Sequence, residues 1–182
     1  MRSFLLLLLA ALPFFGATAA ERAIDSEVVV PAKVEAVWNA WTTSEGIRTF
    51  FAPDANVQLR VDGPFEIFIN PYAQPGLKGA DGMKIIGFQE NRMLSFTWNS
   101  PPHLPEARKQ RSVVILRFEP EGESSTRVHL HHVGWGDGGE WDKSFDYFSK
   151  AWPFVLGNLQ KRFKEGPIDW TTWLEQMKKA SN

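Results

Sequence analysis

The strongest constraint on the fold is a long aromatic stripe near the C-terminal end of the chain. It lies in the segment "GGEWDKSFDYFSKAWPFVLGNLQKRF", residues 138–163. Apolar residues recur there at spacings of three and four, which is the pattern of one face of an amphipathic helix. The residues of this stripe are Trp141, Phe145, Phe148, Trp152, Val155, Leu159 and Phe163. A helix of this length must bury that face against a large apolar partner.

Strand patterns before the long helix supply that partner. "AIDSEVVV" predicts a first strand, and two short helices follow in "PAKVEAVWNAW" and "SEGIRTFF", the second capped by Thr43 or Ser44. Six further strands are predicted in "NVQLRV", "FEIFIN", "MKIIGFQE", "RMLSFTWN", "SVVILRFEP" and "TRVHLHHV", with loops at "PYAQPGLKGADG" and "SPPHLPEARKQR". Successive short strands favour an antiparallel meander over parallel β-α-β units. The sequence therefore predicts an α+β fold, with a sheet of about seven strands that covers the long helix.

The first twenty residues are typical of a secretory signal peptide. Arg2 precedes the apolar run "FLLLLLAALPFF", and the small residues "GATAA" suit cleavage after Ala19 or Ala20. The apolar run is shorter than the roughly 20 residues of a membrane-spanning helix, so no membrane anchor is expected after cleavage. We predict an exported protein, periplasmic or secreted from a bacterium. Residues 21–182 then form one domain, with a core at 25–166 and a short C-terminal helix at 169–179, "DWTTWLEQMKK".

The composition narrows the classes of function. The 20 basic and 21 acidic residues are spread along the chain and give a net charge of −1, which does not indicate a nucleic-acid partner. Cysteine is absent, so an exported chain must fold without disulfides. Eight tryptophans and 14 phenylalanines in so small a domain predict either a heavy core or an aromatic-lined cavity.

Three stretches together resemble one protein family. They are "VVVPAKVEAVWNAWTTSEGIRTFFAP", "MLSFTWN" and "TRVHLHHVGWGDGGEWDKSFDYFSKAW". The chain resembles the SRPBCC superfamily, the helix-grip fold of the START and birch-pollen-allergen proteins, over residues 25–166. More narrowly, it is similar to the branch named for the activator homologue of the heat-shock-protein-90 ATPase. The resemblance implies a curved antiparallel sheet wrapped around a long C-terminal helix, with a pocket between them.

The chain departs from the pattern of this family at two places. Asp62-Gly63-Pro64 stands where members often carry Gly-Gly, and Phe50-Phe51 stands where a tryptophan often ends the second helix. Both departures are expected to reshape the mouth of the pocket. The eukaryotic protein that gives the family its name acts on a cytosolic chaperone, a partner that is not expected for an exported chain.

Three histidines in "VHLHHVGWGD" raise the question of a metal site. Strand alternation places His129 and His131 on one face of the sheet and His132 on the other, with Val128 and Leu130. Two histidines supply only half of a zinc site, and there are no cysteines to complete it. We therefore expect solvated histidines outside and no metal. His132 is expected to be either a hydrogen-bonded core histidine or a contact to a ligand.

No catalytic constellation is recognised in the chain. "GWGDGGEW" lacks the Lys-Ser/Thr of a phosphate-binding loop and is interpreted as a turn, with Asp137 as the helix N-cap. The serines show no nucleophile-elbow pattern. The basic segment "EARKQR" is interpreted as a solvated loop, with steering of an anionic ligand as the alternative. No catalytic residue and no cofactor are predicted.

These observations favour a binding or carrier protein for an apolar or aromatic small molecule. The predicted ligand-binding residues are Phe51, Tyr72, Phe96, Trp98, His132, Phe145, Phe148 and Trp152. The loops around Tyr72 and His103 are the predicted entrance.

Two alternatives remain open from the sequence. One is an enzyme of the cyclase, aromatase or hydrolase type that uses Glu66, Tyr72 and His132. The other is a protein-interaction or chaperone-associated module, or a homodimer. The strands "KIIGF" and "VVILRF" are apolar on both faces, which predicts that part of the outer sheet face is covered, by the C-terminal helix for example.

Overall fold

The computed structural model describes residues 21–181, so the predicted signal peptide lies outside the described residues. The strands are β1 (Ile24–Val30), β2 (Asp54–Val57), β3 (Phe65–Phe68), β4 (Ile85–Gln89), β5 (Met93–Trp98), β6 (Ser112–Glu121) and β7 (Ser125–Val133). The helices are α1 (Val34–Thr42), α2 (Ser44–Arg48), α3 (Pro105–Arg108), α4 (Gly139–Glu165) and α5 (Thr171–Ala180). The predicted order of one strand, two short helices, six strands and a long helix is confirmed.

The seven strands form a curved antiparallel sheet. Five of them pair in the order β1-β7-β6-β5-β4, and β2 pairs with β3 in a hairpin. Backbone contacts join the hairpin to the larger sheet: Phe65 N donates to the Met83 carbonyl at 2.8 Å, and a bridge links Pro64 with Lys84. The predicted α+β helix-grip fold is thereby confirmed.

The long helix α4 lies against the concave face of the sheet and packs most closely on β1. Its stripe behaves as its spacing predicts, because Phe148, Trp152, Val155 and Leu159 are buried. Because α4 lies towards β1, the β2–β3 hairpin is left at a distance from it. This gap between helix and hairpin sets the position of the site described below.

Local structure differs from the sequence prediction at β2. The strand was predicted over residues 56–61 and instead ends at Val57. The chain turns directly afterwards, where Gly63 N donates to the Arg60 carbonyl at 2.9 Å. A Cβ on Gly63 would lie 2.2 Å from the Gln58 carbonyl oxygen, so the close approach requires glycine.

The helix caps and the loop before β6 give one confirmed prediction and two corrections. Thr43 caps α2 as predicted, since its Oγ1 accepts a hydrogen bond from Gly46 N at 2.9 Å. The predicted N-cap Asp137 is wrong, because Gly138 occupies that position in α4. A short helix, α3, forms inside the predicted loop at 100–111, and Glu140 accepts from the first free N–H groups of α3.

The C-terminal helix α5 does not cover the outer face of the sheet, contrary to the expectation from its apolar strands. The Trp170 indole donates to the Arg48 carbonyl at 2.6 Å, and the Trp173 indole donates to the Ile69 carbonyl at 2.8 Å. These bonds hold α5 beside α2 and β3, on the side of the hairpin. Within residues 21–181, no helix has the length and hydropathy needed to cross a membrane.

Candidate ligand-binding site

A cleft of about 850 Å³ opens to solvent between α4 and the β2–β3 hairpin. One wall is the face of α4 that carries Ala151 and Val155, and the other wall contains Ile67 and Leu77. Residues from the segment that leads into α5, among them Trp170, close one end. The cleft exists because α4 packs on β1 and leaves the hairpin apart from it.

Stacked and edge-on aromatic rings form the floor of the cleft. The ring centroids of Trp98 and Trp152 lie 5.1 Å apart, and Phe51 stacks on Trp98 at 5.9 Å. Phe148 stacks on Trp152 at 5.7 Å. All four residues are buried and all four contribute to the cleft surface. Four of the eight residues predicted as ligand contacts thus come together at one site.

His132 is fully buried and lies behind this floor rather than in the cleft. An indole N–H is only a donor, so Trp152 Nε1 donates to His132 Nδ1 at 2.9 Å. The remaining ring nitrogen, Nε2, therefore carries the proton and donates to Ser112 Oγ at 2.7 Å. Both ring nitrogens are thus occupied by the protein. Of the two alternatives for His132, the structure places it as a core histidine.

Burial lowers the pKa of His132 to about 3, with a smaller contribution from the charge of His131. The ring is therefore neutral at physiological pH, as the hydrogen bonds require. A neutral histidine with both nitrogens bonded is a structural group that orients Trp152. It does not act as an exposed acid or base at the cleft.

Three other predicted contacts also lie outside the cleft surface. Phe96 is fully buried and stacks on Phe65 at 4.0 Å. Phe145 packs edge-on against Trp135 at 5.3 Å, outside the cleft. Tyr72 is 47% exposed and does not line the cleft, although His103 does. Strand alternation and helix periodicity identify inward-facing side chains, but they do not separate those in tight packing from those beside a gap.

Arg108 lines the cleft and corrects the interpretation of "EARKQR" as a solvated loop. Its guanidinium donates to the carbonyls of Gly76 and Gly79 at 2.6 and 2.7 Å and lies 3.3 Å from the Asp81 carboxylate. Asp81 in turn accepts from Gly76 N and Gly79 N, both at 2.9 Å. Burial lowers the pKa of Arg108, and the charge of Asp81 opposes that shift. We call Arg108 with Asp81 the loop latch.

Several apolar residues of the cleft were not predicted from the sequence. Phe154 is 70% exposed, and Leu77, Ile69 and Trp173 are also exposed while lining the cleft. Phe154 lies six residues after Phe148 and outside the core stripe, so periodicity predicts a solvent position for it. Only the exposure of a large apolar side chain beside a gap identifies it as a site residue.

The outer-face histidines are paired with carboxylates of neighbouring strands. His129 Nδ1 lies 3.2 Å from Glu27, and its Nε2 lies 3.7 Å from Glu119. His131 Nδ1 lies 2.6 Å from Asp25. In the part of the chain that the structure describes, no group of three or more histidine and acidic side chains has the arrangement needed to hold a metal ion.

The charged side chains of the cleft surface are all basic. Its surface contains Lys78, His103, Arg108 and Lys161, and within residues 21–181 no aspartate or glutamate lines it. General acid–base catalysis requires groups that donate and accept protons close together. His103 and Tyr147 both line the cleft with ring centroids 6.2 Å apart, so an imidazole and a phenol are neighbours at this surface.

A curved antiparallel sheet that grips one long helix over a cleft defines the helix-grip class. The family model for "Activator of Hsp90 ATPase homolog 1-like protein" matches residues 31–164, which is most of the chain. The chain therefore belongs to this family, and the resemblance seen in the sequence is confirmed. No curated protein matches the chain at a significant level.

Solved structures support the same fold at low sequence identity. Protein MLL2253 from Mesorhizobium loti is 20% identical with a TM-score of 0.63, and the match covers 81% of this chain and 100% of that chain. The Aha1 dimer from Colwellia psychrerythraea is 17% identical with a TM-score of 0.62, covering 80% and 98%. CalU16 from Micromonospora echinospora is 21% identical with a TM-score of 0.59, covering 88% and 84%. At these identities the likeness shows the fold alone.

Proposed function

We propose that the protein binds and carries an apolar or aromatic small molecule in the cleft between α4 and the β2–β3 hairpin. The observation that carries the proposal is the combination of a large open cleft, a floor of four aromatic rings and exposed apolar side chains along its walls. Membership of a family with a ligand-binding type of fold supports it.

The size and surface of the cleft support this function. Small-molecule sites commonly measure about 300–1,000 Å³ and are lined mainly by apolar and aromatic side chains with a few polar groups. The cleft falls in that range at about 850 Å³. Leaving residues such as Phe154 and Leu77 in water costs free energy that a bound apolar molecule would recover.

The test is binding of a neutral apolar dye, Nile red, to residues 21–182. Ala151 lines the cleft on α4, so Ala151→Trp places a large ring in the space that the dye would occupy and should reduce dye binding by at least about tenfold, or about 1.4 kcal/mol. Ser149→Trp is the matched control, because Ser149 is exposed on the same helix and does not line the cleft.

The expected result is strong dye emission for the wild type and Ser149→Trp, and little emission for Ala151→Trp, with equal circular dichroism for all three. Equal dye binding by both variants would place the bound dye elsewhere on the surface. Absence of dye binding by the wild type would remove the carrier function and favour an interaction module instead.

Export is part of the proposal and rests on the sequence of the first twenty residues. Protein isolated from its native host should begin at Ala20 or Glu21, because the small residues before them suit signal peptidase. Intact-mass measurement of the native protein decides the point. A mass that includes residues 1–19 would contradict export by this route.

A homodimer is proposed as the form in solution. The Colwellia psychrerythraea relative is described as a dimer, and β4 carries two exposed apolar side chains, Ile86 and Phe88. Exposed apolar side chains on one strand are suited to contact with a second copy. Light scattering after size-exclusion chromatography should give twice the monomer mass, and Ile86→Lys should halve it. A monomer at all concentrations would contradict the homodimer.

A further inference from the structure

We infer that the ligand of the cleft is an anionic amphiphile, an elongated apolar molecule with a carboxylate or similar acidic head group. This inference rests on the proposed function, because it concerns the occupant of the same cleft. It is carried by the distribution of charge over the cleft surface, by the availability of two of the cations and by the length of the cleft.

The charge of the cleft differs from that of the chain as a whole. The protein has 20 basic and 21 acidic residues, yet the cleft surface carries three cationic side chains and, within residues 21–181, no acidic one. Apolar walls of low dielectric concentrate the field of the charges between them, so such a cleft attracts anions and repels cations. The surface is therefore selective for the sign of the charge on a ligand.

Two of the three cations are available to a ligand. Arg108 is part of the loop latch, and its guanidinium already donates to two backbone carbonyls and lies beside the Asp81 carboxylate. Lys78 has no carboxylate within salt-bridge distance among residues 21–181, and its Nζ lies 5.5 Å from the centre of the Phe68 ring. Lys161 lies 3.6 Å from Glu165, an exposed pair one helical turn apart that contributes little stability. Both lysine side chains are thus able to turn towards an acidic head group.

The cleft extends along α4 and is long enough for an extended chain. Residues of α4 that line it run from Tyr147 to Lys161, a distance of about 21 Å at 1.5 Å per residue. The aromatic floor, with Phe148 and Trp152, lies towards the Tyr147 end, and Lys161 lies at the other end. An apolar chain along the floor would therefore place its acidic head near Lys161.

The experiment compares two probes that differ in charge and by a single methyl group: dansyl-labelled undecanoic acid and its methyl ester. Dansyl emission is titrated against the wild type, Lys78→Gln, Lys161→Gln and the double variant at neutral pH. Lys164→Gln is the matched control, because Lys164 is on the same helix but does not line the cleft. The acid should bind the wild type about tenfold more tightly than the ester, and each single variant should lose about two- to fivefold for the acid alone.

The outcomes distinguish failure of the anionic-ligand inference from failure of the proposed carrier function. Loss of the acid's advantage in the double variant, with ester binding and the Lys164→Gln control unchanged, supports the anionic ligand. Equal binding of acid and ester by the wild type overturns the anionic ligand but leaves the apolar carrier function intact. An advantage that survives in the double variant also overturns the inference, because the two lysines would not be its source. Failure of both probes to bind overturns both proposals.

Discussion

Two regions of the molecule are built from the same aromatic residue types and reach opposite results. Around His132 the rings pack tightly and every polar atom of the imidazole is bonded. On the other side of Trp152, rings of the same kind line an open cleft with exposed apolar neighbours. Trp152 belongs to both regions, since its indole N–H is held in the core while the residue also contributes to the cleft surface.

The difference shows that an aromatic ring fixed by the core on one side can leave a gap on its other side. The hydrogen bond to the buried His132 fixes the orientation of Trp152, so its ring does not turn to fill the neighbouring gap. The β2–β3 hairpin, which forms the other wall, is also prevented from moving into the gap, because the loop latch fixes the residues that follow β3. The cleft therefore remains open as a consequence of rigid surroundings.

The largest expected contrast comes from removing one phenylalanine from the packed core and one from the cleft. Phe96→Ala should cost about 3–5 kcal/mol of unfolding free energy, because Phe96 is fully buried and stacked on Phe65. Phe154→Ala should stay within about 0.5 kcal/mol, because Phe154 is mainly exposed. Urea unfolding measures both, and Nile red titration should show weaker binding for Phe154→Ala alone. Similar stability losses for the two variants would contradict the division into packed core and open cleft.

The second expected effect is a dependence of stability on pH caused by His132. An unfolded histidine takes up a proton near 6.5, whereas the pKa of folded His132 is about 3. Between these values the unfolded state binds more protons, so stability decreases as pH falls, by up to about 1.4 kcal/mol per pH unit. The free energy of unfolding, measured with urea at several pH values in this range, should decrease more steeply with falling pH for the wild type than for His132→Gln. The difference between the two slopes should correspond to about one bound proton. Equal slopes would indicate that His132 is accessible to water.

The loop latch provides a third effect of intermediate size. Arg108→Met removes the charge beside Asp81 and the donors to the Gly76 and Gly79 carbonyls. We expect a loss of about 1–3 kcal/mol, since part of the freed loop regains water. Amide hydrogen exchange of residues 76–82 should accelerate while that of β5–β7 is unchanged. Unchanged exchange in the loop would show that the latch does not hold the wall of the cleft.

The smallest expected effect concerns the outer-face histidines. His129→Ala combined with His131→Ala should change stability by no more than about 0.5 kcal/mol for each position, because both side chains are partly exposed and their carboxylate partners are exposed as well. A chelator should leave the melting temperature unchanged. Stoichiometric zinc in elemental analysis of the purified protein would contradict the interpretation of these residues.

Most of the fold was predictable because its signals are local and periodic. The stripe of α4 and the alternation of β7 each identify a buried face, and the burial of Val128, Leu130 and His132 confirms the second. The end of β2 was not predictable in the same way, because it depends on how closely Gly63 approaches the Gln58 carbonyl. The N-cap of α4 at Gly138 was not predictable either. The general preference for aspartate at N-caps, which favoured Asp137, takes no account of three-dimensional packing.

The candidate site was predictable only in part, for a physical reason. Trp98 and Trp152 were identified because the pattern that places a residue inside is the same for a core and for a cavity floor. Phe96 and His132 obey that pattern too, yet they are enclosed by protein. Whether a gap exists depends on where α4 lies relative to the hairpin and on the loop latch around Arg108, which joins residues about thirty positions apart in sequence.

The central claim is that the cleft holds an apolar molecule, and native mass spectrometry of protein isolated from its own host tests it most directly. The wild type should carry a discrete added mass that disappears when the protein is denatured. The cleft-filling variant Ala151→Trp, isolated in the same way, should carry none, while Ser149→Trp should keep it. A wild type that always appears at the bare mass of its chain, or an added mass that Ala151→Trp retains, would contradict the account.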